Sequence, residues 1–149
     1  MVIQNYLRYV QGVERNKSNF LSLHFFIFYM SDLTEKESQV IEKCGTEPRF
    51  SSDLLDENRD GTFTCKKCGQ PLFSSEHKFE SGSGWPSFYD VLNADNIEKK
   101  EDKSHGMVRT EVVCSNCGAH LGHLFEDGPK DETGLRYCIN GIALEFKEQ

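Results

Sequence analysis

Short runs in which apolar and polar residues alternate recur along this chain, and they are the pattern of half-buried β-strands. Thr62–Cys65 follows an Asp-Gly turn signal, and Arg109–Cys114 alternates in the same way. Tyr137–Phe146 alternates over a longer stretch, which predicts one long strand that closes the chain. The sequence lacks the alternation of strands and helices that parallel sheets require, so we predict a mainly β fold with antiparallel sheets.

One helix is predicted before the first strand. Thr34 and Glu37 have the spacing of a capping box, in which each side chain binds the other residue's backbone N–H. The predicted helix covers residues 35–43, and Val40 and Ile41 are its expected core contacts. We therefore expect a short N-terminal helix packed on the sheets.

A charged run occupies residues 96–106, with the sequence NIEKKEDKSHG. A run of mixed charges is usually a solvated face. We interpret it as an exposed helix or loop and not as part of a functional site.

Residues 20–30 form the one long apolar run, and three basic side chains precede it: Arg8, Arg15 and Lys17. The run is shorter than the roughly 20 apolar residues that span a bilayer. Its outline fits a leader peptide. The segment MSDLTEKE from Met30 fits equally well an ordinary initiator region that follows an alternative upstream start.

On either interpretation we expect residues 1–30 to be disordered and to lie outside the fold. Residues 31–149 then form a single domain, as the length predicts. We expect a cytoplasmic protein, or a mitochondrial one if residues 1–29 act as a leader.

The formal net charge of the chain is −7 at pH 7. Proteins that bind nucleic acid through phosphate contacts need a basic surface. The charge therefore argues against a nucleic-acid partner, and the apolar run is too short to indicate a membrane partner.

The cysteines of two similar segments are the strongest chemical signal. TCKKCGQPLF (64–73) and VCSNCGAHLG (113–122) share the pattern Cys-x-x-Cys-Gly-x-x-Leu, and each follows a predicted strand. Two residues between cysteines allow a tight turn to direct both sulfurs at one ion, and two such turns complete a tetrahedron. We predict one structural Zn²⁺ held by four thiolates: Cys65, Cys68, Cys114 and Cys117.

Two disulfides or redox-active dithiols would also account for the paired cysteines. Disulfides are rare in intracellular proteins, and a thioredoxin-like motif belongs to a βαβ setting that this sequence lacks. Four thiolates also leave zinc no open position for water, which excludes a zinc hydrolase or deaminase.

Cys138 lies outside these pairs, in the segment GLRYCING. In the predicted strand, Arg136, Cys138 and Asn140 share one face, which apolar residues continue as far as Phe146. A guanidinium favours the thiolate, which is the nucleophilic form of cysteine. An inert, buried cysteine at the start of a strand is an equally good interpretation of this segment alone.

Two further motifs add polar and aromatic side chains. AHLGHLFEDGP contains His120 and His123, followed by Asp127, and the complete set of four cysteines leaves no need for the histidines as zinc ligands. ESGSGWPSF places Trp85, the one tryptophan, between glycine and proline in a loop. This tryptophan is either a packing anchor or part of a ligand surface.

The chain resembles the methionine-R-sulfoxide reductases of the B type in five motifs that occur in the same order and context: CGTEPRFSS, SGSGWPSFY, SHGM, CGAHLGHLFEDGP and RYCING. The resemblance runs from Thr34 to Phe146. It implies a barrel-like, Mss4-like arrangement of two antiparallel sheets with a structural zinc site. It also implies reduction of methionine R-sulfoxide, free or in proteins, to methionine.

The resemblance implies that Cys138 attacks the sulfoxide sulfur, releases methionine and becomes a sulfenic acid. It implies that Trp85, with Phe125 as a second candidate, forms the apolar wall for the substrate's methyl group, so that one epimer fits. The polar residues implied to favour the thiolate, to orient or protonate the sulfoxide oxygen, or to support that network are Arg136, His120, His123, Asn140 and Asp127.

Many members of this family carry a resolving cysteine in the SGxGWPSF loop, where this chain has Ser83. A subset uses the position of Cys44, so the resemblance implies a Cys44–Cys138 disulfide that thioredoxin then reduces. The two Cα atoms must come within about 4.4–6.8 Å of each other. The segment that carries Cys44 must therefore lie over the active site or move to it. Direct reduction of the sulfenic acid by an external thiol is the alternative.

Two positions depart from the family's usual pattern: Gly141, where serine is usual, and Glu126, where proline is frequent. We expect altered packing at Gly141 and a looser loop at Glu126, without loss of the chemistry.

A non-catalytic zinc-knuckle module that binds protein is the alternative function. Such a module gives no reason for a thiol between Arg136 and Asn140. The expected partners of the enzyme are oxidised proteins or free methionine R-sulfoxide as substrate and thioredoxin as reductant, with the chain acting as a monomer.

Overall fold

The computed structural model describes residues 33–149. This range holds one α-helix, α1 (Glu35–Ile41), followed by nine β-strands. The strands are β1 (Gly61–Cys65), β2 (Pro71–Ser74), β3 (Lys78–Phe79), β4 (Ser87–Phe88), β5 (Ile97–Asp102), β6 (Arg109–Cys114), β7 (His120–Phe125), β8 (Arg136–Ile139) and β9 (Leu144–Glu148). The predicted leader, residues 1–30, lies outside the described residues.

Residues 33–149 form two sheets in which all neighbouring strands are antiparallel. A three-stranded sheet has the order β2-β1-β9, and a six-stranded sheet has the order β3-β4-β8-β7-β6-β5. The prediction of a mainly β fold with two antiparallel sheets and one short helix is therefore confirmed. No helix in this range is long and apolar enough to cross a membrane.

The helix α1 begins with the predicted capping box. The backbone N–H of Glu37 donates to Thr34 Oγ1 at 3.2 Å, and the backbone N–H of Thr34 donates to Glu37 Oε2 at 2.9 Å. Val40 and Ile41 are buried, as predicted, and Ile41 is the last helical residue. The helix therefore ends two residues before the predicted end at Lys43.

Aromatic side chains from both sheets form the core between them. The ring of Phe88 on β4 lies 5.0 Å from that of Phe63 on β1 and 4.4 Å from that of Phe73 on β2. All three side chains are fully buried. Burial of a side chain of this size contributes about 1.5–3 kcal/mol. Ring packing thus holds the larger sheet against the smaller one.

The interpretation of residues 96–106 as an exposed helix or loop is wrong for its first half, because Ile97–Asp102 is the edge strand β5 of the larger sheet. Its backbone pairs with β6, while four of its six side chains are exposed. A strand with solvent on both faces shows no alternation in sequence, and charges on an edge strand discourage pairing with another chain. Helical turns occur only at the ends of this run, where Asn96 closes the 3₁₀ turn Ala94–Asn96 and Ser104–Gly106 forms another.

The prediction of one long closing strand is also wrong. The chain leaves the larger sheet at Ile139, makes a 3₁₀ turn over Gly141–Ala143, and enters the smaller sheet as β9. The buried carboxylate of Glu47 accepts hydrogen bonds from the backbone N–H groups of Gly141 and Ile142 and so stabilises this turn. The apolar residues from Ile142 onward therefore do not continue the face of Cys138.

Gly141 lies where a larger residue would collide with its surroundings. A Cβ atom at this position would overlap Ser52 Oγ, with Ser52 Cβ at 2.6 Å and Glu47 Oε1 at 3.3 Å. Ser52 itself caps a 3₁₀ turn by accepting from the backbone N–H of Leu54 at 3.1 Å. The absence of a side chain at Gly141 thus lets Ser52 and Glu47 pack closely on the turn.

We predict that Gly141→Ser destabilises the protein by about 1–3 kcal/mol, the usual cost of overpacking a well-packed site. The free energy of unfolding would be measured in denaturant for the wild type, Gly141→Ser, Ser52→Gly and the double variant. Because Ser52 is the group that collides, Gly141→Ser should cost less in the Ser52→Gly background. Equal costs in both backgrounds would show that Ser52 is not the obstacle.

Candidate active site and metal centre

Each Cys-x-x-Cys pair forms a tight turn at the end of a strand. Cys65 ends β1 and Cys114 ends β6. The backbone N–H of Gly69 donates to the Cys65 carbonyl at 2.7 Å, and that of Gly118 donates to the Cys114 carbonyl at 2.8 Å. Both glycines have positive φ, 80° and 74°, a conformation that glycine adopts without strain.

The two turns bring the four sulfurs together. Cys65 Sγ lies 3.6 Å from Cys117 Sγ, and Cys68 Sγ lies 3.6 Å from Cys114 Sγ. All four sulfurs lie within 4.8 Å of one another. A tetrahedral ion with metal–sulfur bonds of about 2.3 Å separates its sulfurs by about 3.8 Å. The cluster is therefore able to hold a metal ion and would link the two sheets through it.

Cys138 lies on β8 in a row of side chains that crosses the larger sheet. The register pairs Cys138 with His123 on β7 and with Ser87 on β4, and it pairs His123 with Glu111 on β6. Residues directly opposite each other on antiparallel strands project from the same face. The row therefore places an imidazole and a carboxylate on the same face as the thiol. The Ser83 hydroxyl lies 4.0 Å from Cys138 Sγ.

Two opposing effects act on the pKa of the Cys138 thiol. Burial raises it, whereas the positive charge of Arg136 and the hydrogen bond from Ser83 lower it, and the net shift is upward. The effect of Arg136 has the expected direction, but burial outweighs it. The guanidinium is fixed by two hydrogen bonds to Asp127, at 2.8 and 3.1 Å, and lies 4.5 Å from the centre of the Phe125 ring.

His123 is paired with a carboxylate on the edge strand. Its Nε2 lies 2.7 Å from Asp102 Oδ2, an atom that also contacts Arg109 at 3.3 Å. Hydrogen bonds from Ser104, followed by that from His123, hold the pKa of Asp102 well below its usual value. Burial lowers the pKa of His123 below its usual value, while the hydrogen bond to Asp102 opposes that shift. The lowered pKa favours the neutral imidazole, in which an Nε2 proton would be donated to Asp102.

His120 is paired in the same way with Glu111. Its Nδ1 lies 2.9 Å from Glu111 Oε1, and the side chain is only 2% exposed. Within residues 33–149, no hydrogen-bond partner approaches its buried Nε2. The centres of the His120 and His123 rings are 5.5 Å apart, because the register of β6 and β7 shifts at Val113. A buried polar nitrogen without a partner is uncommon in folded proteins and calls for an explanation.

Sequence reasoning missed both carboxylates of these pairs. Asp102 lies in the charged run that was interpreted as a solvated segment, and Glu111 lies in a predicted strand as one polar residue among several. The cross-strand register brings these residues to the histidines. A correct assignment of β5 as a strand adjacent to β6 would have identified Asp102 as a neighbour of the site.

Asn140 and Trp85 hold the loops around Cys138. The Asn140 side chain donates to the Leu121 carbonyl and accepts from the backbone N–H of Glu47, both at 3.0 Å. Trp85 Nε1 donates to the Glu47 carbonyl at 2.9 Å, and the guanidinium of Arg49 lies 5.4 Å from the centre of the indole ring. The segment around Glu47 is thereby fixed to both loops, which orients the indole.

Cys44 is exposed, and its thiol donates to Glu111 Oε1 at 3.8 Å. Glu111 lies on β6, two strands away from Cys138 on β8. At about 4.8 Å between neighbouring strands, this corresponds to roughly 10 Å across the sheet. Both thiols are free here, so the Cys44–Cys138 disulfide stays a prediction that requires Cys44 to move.

Comparisons with known proteins place this geometry in a family. The model of the SelR domain matches residues 33–148. The peptide methionine sulfoxide reductase MsrB of Methanosarcina barkeri is 56% identical over 117 residues, covering 78% of this chain and 82% of that protein. The MsrB protein of Methanosarcina mazei is 53% identical, covering 81% of this chain and 86% of that protein. The MsrB protein of Burkholderia lata is 52% identical, covering 78% of this chain and 82% of that protein. Among solved structures, the Mis18 Yippee-like domain aligns with a TM-score of 0.49 at 19% identity, over 61% of this chain and 98% of that domain.

We predict that Asp102→Asn lowers the pKa of His123 further below its usual value. The contact with Asp102 favours the charged imidazolium, and its loss leaves burial and the nearby positive charge of Arg109 unopposed. Titration of the His123 ring resonances by NMR measures this shift. Glu101→Gln, an exposed carboxylate on the same strand, is the matched control and should leave the pKa of His123 in place. An unchanged or higher pKa in Asp102→Asn would refute the assigned pairing.

Proposed function

The chain belongs to the SelR domain family of peptide methionine (R)-sulfoxide reductases of the MsrB type, and from this premise we propose that Cys138 is its catalytic nucleophile. The observation that carries the proposal is the row in which the Cys138 thiol is directly opposite His123, with Arg136 two residues away on the same strand. The competing idea of a non-catalytic binding module gives no reason for this arrangement.

The first step transfers oxygen from the substrate to the enzyme. The sulfur of Cys138 attacks the sulfoxide sulfur and forms a sulfur–sulfur bond. As the oxygen moves to the cysteine sulfur, the sulfur–oxygen bond of the substrate and the new sulfur–sulfur bond both break, and methionine leaves as the thioether. Cys138 is left as a sulfenic acid, so the cysteine sulfur loses two electrons and the substrate sulfur gains two. The proton that leaves the thiol ends on the transferred oxygen, so the step needs no proton from outside the site.

His123 is suited to move that proton. Burial keeps the Cys138 thiol protonated before substrate binds, because its pKa is raised. His123 is neutral, and its Nε2 proton is held by Asp102, which leaves Nδ1 as the basic nitrogen. We assign His123 as the group that takes the proton from Cys138 and delivers it to the sulfoxide oxygen. The partnerless Nε2 of His120 is the second polar contact available to the substrate.

Trp85 is the aromatic wall that selects the R epimer in this proposal. Its indole is held between the Glu47 carbonyl and the Arg49 guanidinium, so the ring cannot easily turn away. A rigid apolar wall accepts the methyl group of one epimer and clashes with that of the other. Phe125 is less suited to this role, since the guanidinium of Arg136 already covers its ring. Asp127 and Asn140 act as positioning residues, the first for Arg136 and the second for the loop that carries Glu47.

The metal at the four-cysteine cluster is proposed to be structural zinc. Four thiolates in a tetrahedron are the donor set of closed zinc sites, and the sulfur separations fit such an ion. When bound, the ion stabilises the fold by joining the two turns, and it takes no part in the oxygen transfer.

The sulfenic acid is proposed to be resolved by Cys44. The Cys44 thiol attacks the sulfenic sulfur of Cys138, water leaves, and a disulfide forms. Two electrons and two protons from the dithiol of thioredoxin then restore both thiols. Because this cycle needs a reducing compartment, we propose that the chain works in the cytoplasm. We propose further that it acts as a monomer.

We predict that wild-type protein releases methionine from the R sulfoxide and not from the S sulfoxide, and that Cys138→Ser releases none. A single-turnover assay with separated epimers and reduced protein, without added reductant, measures this step directly. Cys44→Ser is the control and should still release one methionine per chain. Release by Cys138→Ser would remove Cys138 from the role of nucleophile.

We predict that Cys44→Ser loses at least tenfold in thioredoxin-driven turnover and that adding Ser83→Cys restores it. The Ser83 hydroxyl already lies 4.0 Å from Cys138 Sγ, so a sulfur there needs only a small rotation to form a disulfide. Steady-state turnover with a thioredoxin system measures both effects, and Ser81→Cys in the same background is the matched control. Full turnover by Cys44→Ser alone would mean that thioredoxin reduces the sulfenic acid directly.

A further inference from the structure

Beside the proposed active site, three side chains bring different donor atoms together: Cys44, Glu111 and His120. Glu111 Oε1 lies 3.8 Å from Cys44 Sγ and 2.9 Å from His120 Nδ1. One ligand atom from each residue lies within 4.8 Å of the other two. These residues belong to three separate segments of the chain. Cys44 and Glu111 are 67 positions apart, and Glu111 and His120 are 9 positions apart.

The donor set is that of a zinc-class cation. Thiolate, imidazole and carboxylate all bind Zn²⁺, at about 2.3, 2.0–2.1 and 2.0–2.2 Å. In a tetrahedron these bond lengths separate sulfur from oxygen by roughly 3.6 Å and nitrogen from oxygen by roughly 3.4 Å. The observed separations of 3.8 and 2.9 Å differ from these values by about half an ångström or less. Small side-chain movements would therefore complete the geometry.

The three side chains are accessible from solvent on one side and already directed toward one another. Cys44 is exposed, so an ion can enter from solvent, while His120 is buried and Glu111 is half-buried. The backbone of Cys44 is left-handed, with φ of 54°, and its thiol contacts Glu111 on the sheet. Asp102 adds a second negative charge nearby and Lys100 a positive one.

We propose that Cys44, Glu111 and His120 form a second, exchangeable binding site for a zinc-class divalent cation, separate from the four-cysteine cluster. On binding, the Cys44 thiol gives its proton to solvent and the imidazole binds in its neutral form. Three protein ligands leave the fourth position to solvent, as in open zinc sites. Binding at this site is therefore weaker and more readily reversed than binding by four thiolates.

Occupation of this site has a consequence that rests on the proposed function of Cys44. A cation bound to Cys44 removes that thiol from reaction with the sulfenic acid on Cys138. The enzyme would then stop after oxygen transfer, with the sulfenic acid unresolved. The metal site itself depends only on the geometry of the three ligands.

The binding test uses the reduced full chain with its four-cysteine cluster already loaded, free of added thiols and chelators. Equilibrium dialysis against Zn²⁺ followed by elemental analysis should give two ions per chain for the wild type and one for Cys44→Ser. Glu111→Gln should weaken the second ion at least tenfold. Cys138→Ser, which removes the other thiol outside the cluster, is the matched control and should keep two. One ion in the wild type, or two in Cys44→Ser, overturns the proposal.

A second measurement uses only the wild-type protein, so its result does not depend on how well a variant folds. Zn²⁺ should slow alkylation of Cys44 in the wild type at least tenfold, as read by mass spectrometry of its peptide, and should leave the rate at Cys138 unchanged. Equal protection of both thiols, or of neither, overturns the assigned ligands.

A third experiment tests whether the second ion blocks disulfide formation. It follows one turnover with methionine R-sulfoxide in the absence of thioredoxin. Protein with an ion only in its four-cysteine cluster should form the Cys44–Cys138 disulfide, and protein with two ions should accumulate sulfenic acid that a dimedone probe captures. If the one-ion protein forms no disulfide, the resolving role of Cys44 fails while the two-ion stoichiometry still supports the site. If the disulfide forms equally fast with two ions bound, the inhibitory consequence is overturned.

Discussion

The convergence of four cysteine sulfurs is the constraint on which the positions of the proposed catalytic groups depend. It joins the end of β1 in the smaller sheet to the end of β6 in the larger sheet. The turn after Cys65 donates from Lys66 N–H to the Ala143 carbonyl at 2.9 Å, in the segment that follows Cys138. The turn after Cys114 leads directly into β7, which carries both histidines. The cluster thus positions the site from two sides, and binding of a metal there would contribute folding free energy as well as geometry.

At Cys138 and at His123, burial and the nearby charge of opposite sign shift the pKa in opposite directions. Burial raises the pKa of Cys138 and lowers that of His123, which favours the neutral form of both. The charged groups that oppose these shifts, Arg136 and Asp102, are each fixed by a partner of opposite charge. A neutral thiol next to a neutral imidazole is chemically inert until a substrate supplies an acceptor for the proton. If Cys138 is the nucleophile, as we propose, these opposing shifts hold it in its less reactive, protonated form.

The features predicted well from sequence are those that neighbouring residues determine. The capping box at Thr34, the two cysteine turns and the strand after the Asp-Gly turn each depend on spacings of a few residues. The features predicted wrongly depend on partners distant in sequence. Strand β5 was missed because its pairing with β6 supplies a stability that its charged sequence does not show. The break after Ile139 was missed because the carboxylate of Glu47, 94 positions from Gly141, supplies the hydrogen bonds that end the alternation. Asp102 and Glu111 were missed for the same reason, since only the strand register brings them to the histidines.

The position of Cys44, about two strands away from Cys138, is compatible with a resolving role because of where its segment is anchored. Glu47, three residues later, is fixed to Asn140 by a 3.0 Å hydrogen bond, and Asn140 is two residues from Cys138. Three residues of extended chain span roughly 10 Å, so Cys44 can swing about this anchor and cover the distance across the sheet without moving Glu47. Two contacts hold the resting position: the long hydrogen bond from the exposed Cys44 thiol to Glu111, and the hydrogen bond from the Gly45 backbone N–H to the Gln39 carbonyl at 3.0 Å. Each contributes only modestly to stability. The same anchor that orients Trp85 through the Glu47 carbonyl can therefore stay in place while the resolving thiol moves.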